Sequence, residues 1–217
     1  MIALLLSCAK APPPSPATVD RSAVPDLRDE METHFYRALE LQLAVLGGDL
    51  PAAKTAGAKL ASDLESGTFP EPWAPFLVDT KRAAQRAADA TTVPEASAAL
   101  GALSESCASC HLGTRGGPSE AVDMSVPPEH MARHLYAAYW MGYGLIAPDD
   151  HAWTAGARAL SSTSIGADAP AHRELDARLH DLAARAIPLT DLHARAELWS
   201  ALLVACSECH ATIERPR

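Results

Sequence analysis

At 217 residues the chain is long enough for one large domain or two small ones. Apolar residues make up 48% and aromatics only 5%, a balance that favours alanine- and leucine-rich helices over sheet. The net charge of −9 argues against nucleic acid, since no basic stripe exists to neutralise phosphates, and points to a protein partner with a basic docking surface. No apolar run reaches the ~18–20 residues needed to span a bilayer.

Residues 1–24 read as a processing and tethering segment. Ile2 to Leu6 form a short apolar run, and Leu5-Leu6-Ser7-Cys8 resembles a bacterial lipobox, in which the cysteine becomes the lipidated first residue of the mature chain. Ala11 to Pro25 is rich in Pro, Ala and Ser, as a solvated tether would be. The run is short for a signal peptide and lacks a basic n-region. Two readings therefore stand: Cys8 carries a lipid anchor and translation begins upstream of Met1, or Cys8 is an ordinary thiol.

The rest of the chain is an internal repeat. Met31, His34, Tyr36, Ala38, Asp49, Leu60 and Ser62 recur 100 positions later as Met131, His134, Tyr136, Ala138, Asp149, Leu160 and Ser162. A Cys-x-x-Cys-His motif recurs 99 positions apart, at Cys107–His111 and Cys206–His210. Two units follow, 25–112 and 127–217, joined by a Gly- and Pro-rich linker over 113–126. In the first unit, helices are expected over about 26–46, 50–66, 73–90 and from Thr92 to the Cys107 motif. In the second they are expected over 128–146, 150–161, 169–186 and 189–210. Asp26 to Leu46 stops at Gly47-Gly48, Pro51 suits a first turn, and Thr92 before Pro94 suits an N-cap. Short loops make neighbouring helices antiparallel. The expected class is all-α: two tandem four-helix up-down-up-down bundles.

Helix one steps Leu27, Met31, His34, Ala38, Leu41, Val45, the spacing of a packed seam. Met131, His134, Ala138, Met141 and Leu145 do the same. Both histidines, and both methionines one turn earlier, are therefore expected on the core face.

The Cys-x-x-Cys-His motifs carry the chemistry. Two thiols can add across the vinyl groups of haem as thioethers, while the adjacent histidine offers a neutral imidazole to the iron. On a helix, Cys107 and His111 share a face, as do Cys206 and His210. With nine histidines in the chain, two such pairs both followed by histidine would arise by chance roughly once in 600 cases. Zinc, a redox dithiol and structural disulfides are the competing uses. Zinc knuckles favour short loops close in sequence, and a thioredoxin-type dithiol wants a βαβ context. Two covalently attached haems c are expected, one at the end of each fourth helix. Cys107, Cys110, Cys206 and Cys209 would be the attachment residues, with His111 and His210 as proximal iron ligands.

For the opposite iron face the first unit has one candidate histidine, His34, and the repeat points to His134 in the second. The second unit also holds His130, His151, His172, His180 and His193. His193 is set aside, because it precedes His210 on one helix by roughly 25 Å. Met31 and Met131 are the rival ligands and would raise the potential. Structural burial of the two histidines is the remaining alternative. Trp199 reads as core packing.

A four-helix bundle ending in Cys-x-x-Cys-His resembles the class II c-type cytochromes, the cytochrome c prime group. The likeness covers about 25–111 and 127–210. It implies export to the periplasm or outer cell surface of a bacterium. The family usually has one bundle per chain, and cytochrome c prime itself often leaves its distal side apolar and vacant. His34 and His134 depart from that. The expected function is electron transfer by His/His-coordinated low-spin haems, with no enzymatic catalysis. The alternatives are a sensor of nitric oxide or carbon monoxide with an open iron, and a dihaem peroxidase, for which no distal acid–base group is evident.

Overall fold

The computed structural model describes residues 27–117, 125, 127, 130–163 and 170–212. Cys8, the tether and most of the linker lie outside these residues. The described chain is all-helical, as expected. It comprises α1 (Leu27–Leu46), α2 (Leu50–Ser66), a 3-10 turn (Glu71–Trp73), α3 (Ala74–Asp89), α4 (Val93–Thr114), α5 (His130–Ile146), α6 (Asp150–Ser161), α7 (Pro170–Ala186) and α8 (Leu192–Thr212). None of these helices is long and apolar enough to cross a membrane.

Local chemistry sets the helix ends. Asp49 and Asp149, repeat counterparts, cap α2 and α6 by accepting from Ala52 N and from His151 N and Ala152 N. At α4, Thr92 Oγ1 accepts from Glu95 N at 3.2 Å while the Glu95 carboxylate accepts from Thr91 N at 2.7 Å, a reciprocal cap. Those bonds hold the Glu95 carboxyl below its usual range. Asp191 caps α8, accepting from Ala194 N at 2.8 Å, so that helix begins at Leu192 rather than Leu189. α4 continues past its motif to Thr114 and ends where Arg115 turns left-handed (φ 53°) and returns its N–H to His111 O.

α1 packs on α2, α2 on α3, α3 on α4 and α1 on α4. α5 packs on α6, α6 on α7, α7 on α8 and α5 on α8. The two sets share one contiguous hydrophobic core, because α4 packs along α8 and each reaches the first helix of the other set, α4 on α5 and α8 on α1. The α4–α8 contact is self-complementary. Ser97 Oγ donates to Ser200 O at 2.8 Å, and Ser200 Oγ shares its proton between Ser97 O (3.1 Å) and Ala196 O (2.9 Å). In the 99-residue register Ser97 matches Ala196 and Gly101 matches Ser200. A Cβ on Gly101 would lie 2.7 Å from Ala196 O. Position 97 thus meets the counterpart of 101, and 101 meets the counterpart of 97, as across a twofold interface. Only small residues permit this approach.

Candidate functional site

α1 delivers Leu27, Met31, His34 and Ala38 to one wall of a cavity of about 700 Å³, and the end of α4 delivers Cys107, Cys110 and His111 to another. The volume falls within the range of cofactor sites, about 300–1,000 Å³. Leu60 and Leu64 of α2, with Leu77 and Thr80 of α3, add to its lining. Tyr139, Tyr143, Ile146 and Ala147 close it from the α5 side. The first site is therefore completed by the second half of the chain.

His111 is held by that second half. Its Nδ1 lies 2.8 Å from Ile146 O, the last carbonyl of α5. A carbonyl only accepts, so Nδ1 carries the proton and Nε2 keeps its lone pair, the tautomer that metal ligation at Nε2 requires. Gly117 lies against the same ring. It takes φ +93°, and a Cβ there would stand 3.1 Å from His111 Cγ. Burial lowers the His111 pKa, with the Ile146 carbonyl acting in the opposite sense. The ring is neutral at neutral pH.

His34 faces the same cavity with its side chain 11% exposed. Its Nε2 is buried without a hydrogen-bond partner. The nearest acid, Glu30 Oε2, is 4.0 Å away, beyond hydrogen-bond range. Burial lowers the His34 pKa, against the opposing pull of Glu30 and Asp63. A neutral imidazole with a buried, unused nitrogen is primed to ligate or to accept a bond. Phe69 packs beside it, ring centroids 5.7 Å apart.

The motif cysteines are protonated thiols. Burial pushes Cys107 and Cys206 up to about 12 and Cys110 to about 11. Burial, then the Asp176 carboxylate, also raises Cys209. A redox dithiol works through a depressed thiol pKa, so this environment opposes that use. Among the described residues no group of three or more His, Cys, Asp or Glu side chains is arranged to hold a metal ion.

The second half is built differently. His134 Nε2 donates to Thr163 O at 3.0 Å, and His180 Nε2 donates to the same carbonyl at 2.7 Å. Asp176, 11% exposed, lies 3.5 Å from His180. Cys206 packs against the core, and His210 is half-buried on the last turns of α8. His34, the repeat counterpart of His134, has an unused ring nitrogen, whereas His134 has a backbone partner.

Met131 does not follow its expected place. It is 54% exposed, whereas Met31 lines the first cavity. Ala138, Met141 and Leu145 of the same stripe are buried. Met131 shares the face of buried Ala138 but sits in the first turn of α5, beyond the buried stretch of that seam. His193 pairs with Glu105 on α4 at 3.1 Å, and His172 Nε2 lies 2.9 Å from Thr212 Oγ1. His151 lines a separate shallow hollow with Arg133, Tyr136 and Arg158. Trp199 is 1% exposed, in the core. The sequence reading passed over Trp73, the Ile146 carbonyl and Asp176. Only Trp73, a buried aromatic in a chain with few, carried a signal. No protein-family model, no curated protein and no solved structure matches this chain.

Proposed function

We propose that this chain is an exported two-haem c-type cytochrome that transfers electrons. In this reading it is two tandem four-helix bundles, each with a haem c on its last helix, attached through Cys107 and Cys110 and through Cys206 and Cys209. One observation carries the reading. His111, with Nδ1 committed to Ile146 O, and His34, with Nε2 buried and unpartnered, line one cavity with both cysteines of the motif.

Haem would supply an iron that cycles between ferrous and ferric states. The chain does the rest. His111 offers a lone pair of fixed tautomer, and His34 offers a second from α1. Were both imidazoles to ligate the iron, its potential would tend lower than with a methionine ligand. Leu60, Leu64 and Leu77 give the cavity apolar walls that would favour a largely apolar macrocycle. The helices on both sides hold the ligands rigid through a redox change. Anchoring through Cys8, a bacterial periplasmic or outer-surface location and a basic redox partner belong to the same proposal.

The test is a visible spectrum of protein expressed with a haem-maturation system, recorded oxidised, reduced and with carbon monoxide. Low-spin bands from two haems are expected. His34→Ala should convert one haem to a form that takes up carbon monoxide. Protein with unmodified cysteines and no Soret band would end the proposal.

A second reading draws on one observation, the bond from His134 Nε2 to Thr163 O. If that bond persists, the second iron keeps an open face and binds gases in the manner of cytochrome c prime. Carbon monoxide uptake by one haem in the wild-type protein would support it, and uptake by neither would exclude it.

A further inference from the structure

Among the described residues three buried side-chain nitrogens or oxygens have no hydrogen-bond partner: His34 Nε2, Trp73 Nε1 and Trp199 Nε1. Two of the three line the first cavity. Away from the cavity, buried Trp153 donates its indole N–H to Ala186 O at 2.8 Å, while Trp199, 1% exposed, sits in the packed core. Trp73 is 5% exposed, held where the 3-10 turn meets α3, so its N–H is withheld from solvent as well as from protein. An indole nitrogen is a donor only, and a buried donor without an acceptor is costly. Trp73, unlike Trp199, borders a cavity, so an acceptor on whatever fills that space can supply the partner.

We infer that Trp73 Nε1 is the donor to a carboxylate of the group bound in the first cavity. The inference rests on the haem reading above. Haem carries two carboxylates, and burying either beside apolar helices requires a hydrogen bond. Other polar groups facing the space are less suited to a buried carboxylate. Thr80 Oγ1 is engaged with Phe76 O (3.0 Å) and Ser106 Oγ (2.7 Å). Glu32, also on the lining, repels a carboxylate, and Arg28, which is exposed, suits the second carboxylate where it meets solvent. Tyr139 is the rival donor, across the cavity on α5. In the 99-residue register Trp73 corresponds to His172, whose Nε2 already meets Thr212 Oγ1 at 2.9 Å. The device belongs to the first site, which makes the two sites unequal.

The test is resonance Raman spectroscopy of the haem-loaded full chain, reading the carboxylate-side-chain bending bands. Trp73→Phe removes the N–H and keeps an aromatic ring. A shift of the bending band of one haem and not the other is expected, with restoration in Trp73→His. Should Trp73→Phe fail to accumulate, the wild-type band moved from H2O to D2O reads the same bond, and its shift is expected there. Unchanged bands with both haems attached would overturn the Trp73 assignment while leaving the haem reading intact. A shift in a Tyr139→Phe variant alone would give the role to Tyr139. Absence of haem from the wild-type chain would remove both.

Discussion

Replacing Gly117 with alanine is the sharpest test of how the first site is held. The backbone there has φ +93°, which an L side chain adopts at a cost of about 1–2 kcal/mol. The new Cβ would stand 3.1 Å from His111 Cγ and 3.3 Å from its Nδ1, so ring or loop must yield. If the ring yields, the 2.8 Å bond to Ile146 O stretches or breaks, a loss of about 0.5–1.5 kcal/mol. The expected destabilisation is about 1–3 kcal/mol. For a chain of this length that lowers the melting temperature by about 2–12 °C. Thermal unfolding followed by circular dichroism measures it. On the haem reading proposed above, the electron paramagnetic resonance spectrum of the oxidised, haem-loaded protein reports whether the His111 imidazole has turned. Gly116→Ala is the control, since its Cβ would meet only the Thr114 hydroxyl, at 2.9 Å. Equal melting temperatures for Gly117→Ala and wild type, with an unaltered resonance spectrum, would refute the claim that Gly117 seats His111.

Three further outcomes are expected. Asp49→Ala and Asp149→Ala each remove an N-cap, costing about 0.5–2 kcal/mol in urea unfolding; Asp149 accepts two amide bonds against one for Asp49 and should be the costlier loss. Equal costs would contradict that ordering. Gly101→Ala places a Cβ 2.7 Å from the Ala196 carbonyl, which as backbone cannot move aside. Overpacking of about 1–3 kcal/mol should outweigh the gain of about 1 kcal/mol from removing a helical glycine, and increased stability would deny the close α4–α8 approach. The Glu105 carboxylate raises the His193 pKa above its ordinary value, with Glu197 adding to it. A raised folded-state pKa stabilises below the unfolded value and is lost as pH rises through the folded one. Histidine titration by nuclear magnetic resonance should find His193 high in wild type and lower in Glu105→Gln.

Much of this protein is legible in the amino-acid sequence, because the features concerned are local. Helix periodicity, the Thr92 cap and the glycine stops at Gly47 and Gly48 depend on residues a turn apart, and the all-α class follows from them. Pairing Cys107 with His111 on one helical face needs only the 3.6-residue repeat. So does setting His34 on the core side of α1. Periodicity gives the face but not how far along the helix it is covered: it set Met131 on the seam, yet Met131, in the first turn of α5, is exposed.

Tertiary structure alone decided the rest. That Ile146 of the second half holds His111 of the first has no sequence signature, since every residue offers a carbonyl. The same holds for Thr163, whose carbonyl draws both His134 and His180. The contact that joins the halves runs through Ser97, Gly101, Ala196 and Ser200, small residues that leave no hydrophobic stripe to read. Pattern in a sequence records which side of a helix is apolar; which other helix meets that side is set by shape and backbone polarity, quantities that exist only once the chain has folded.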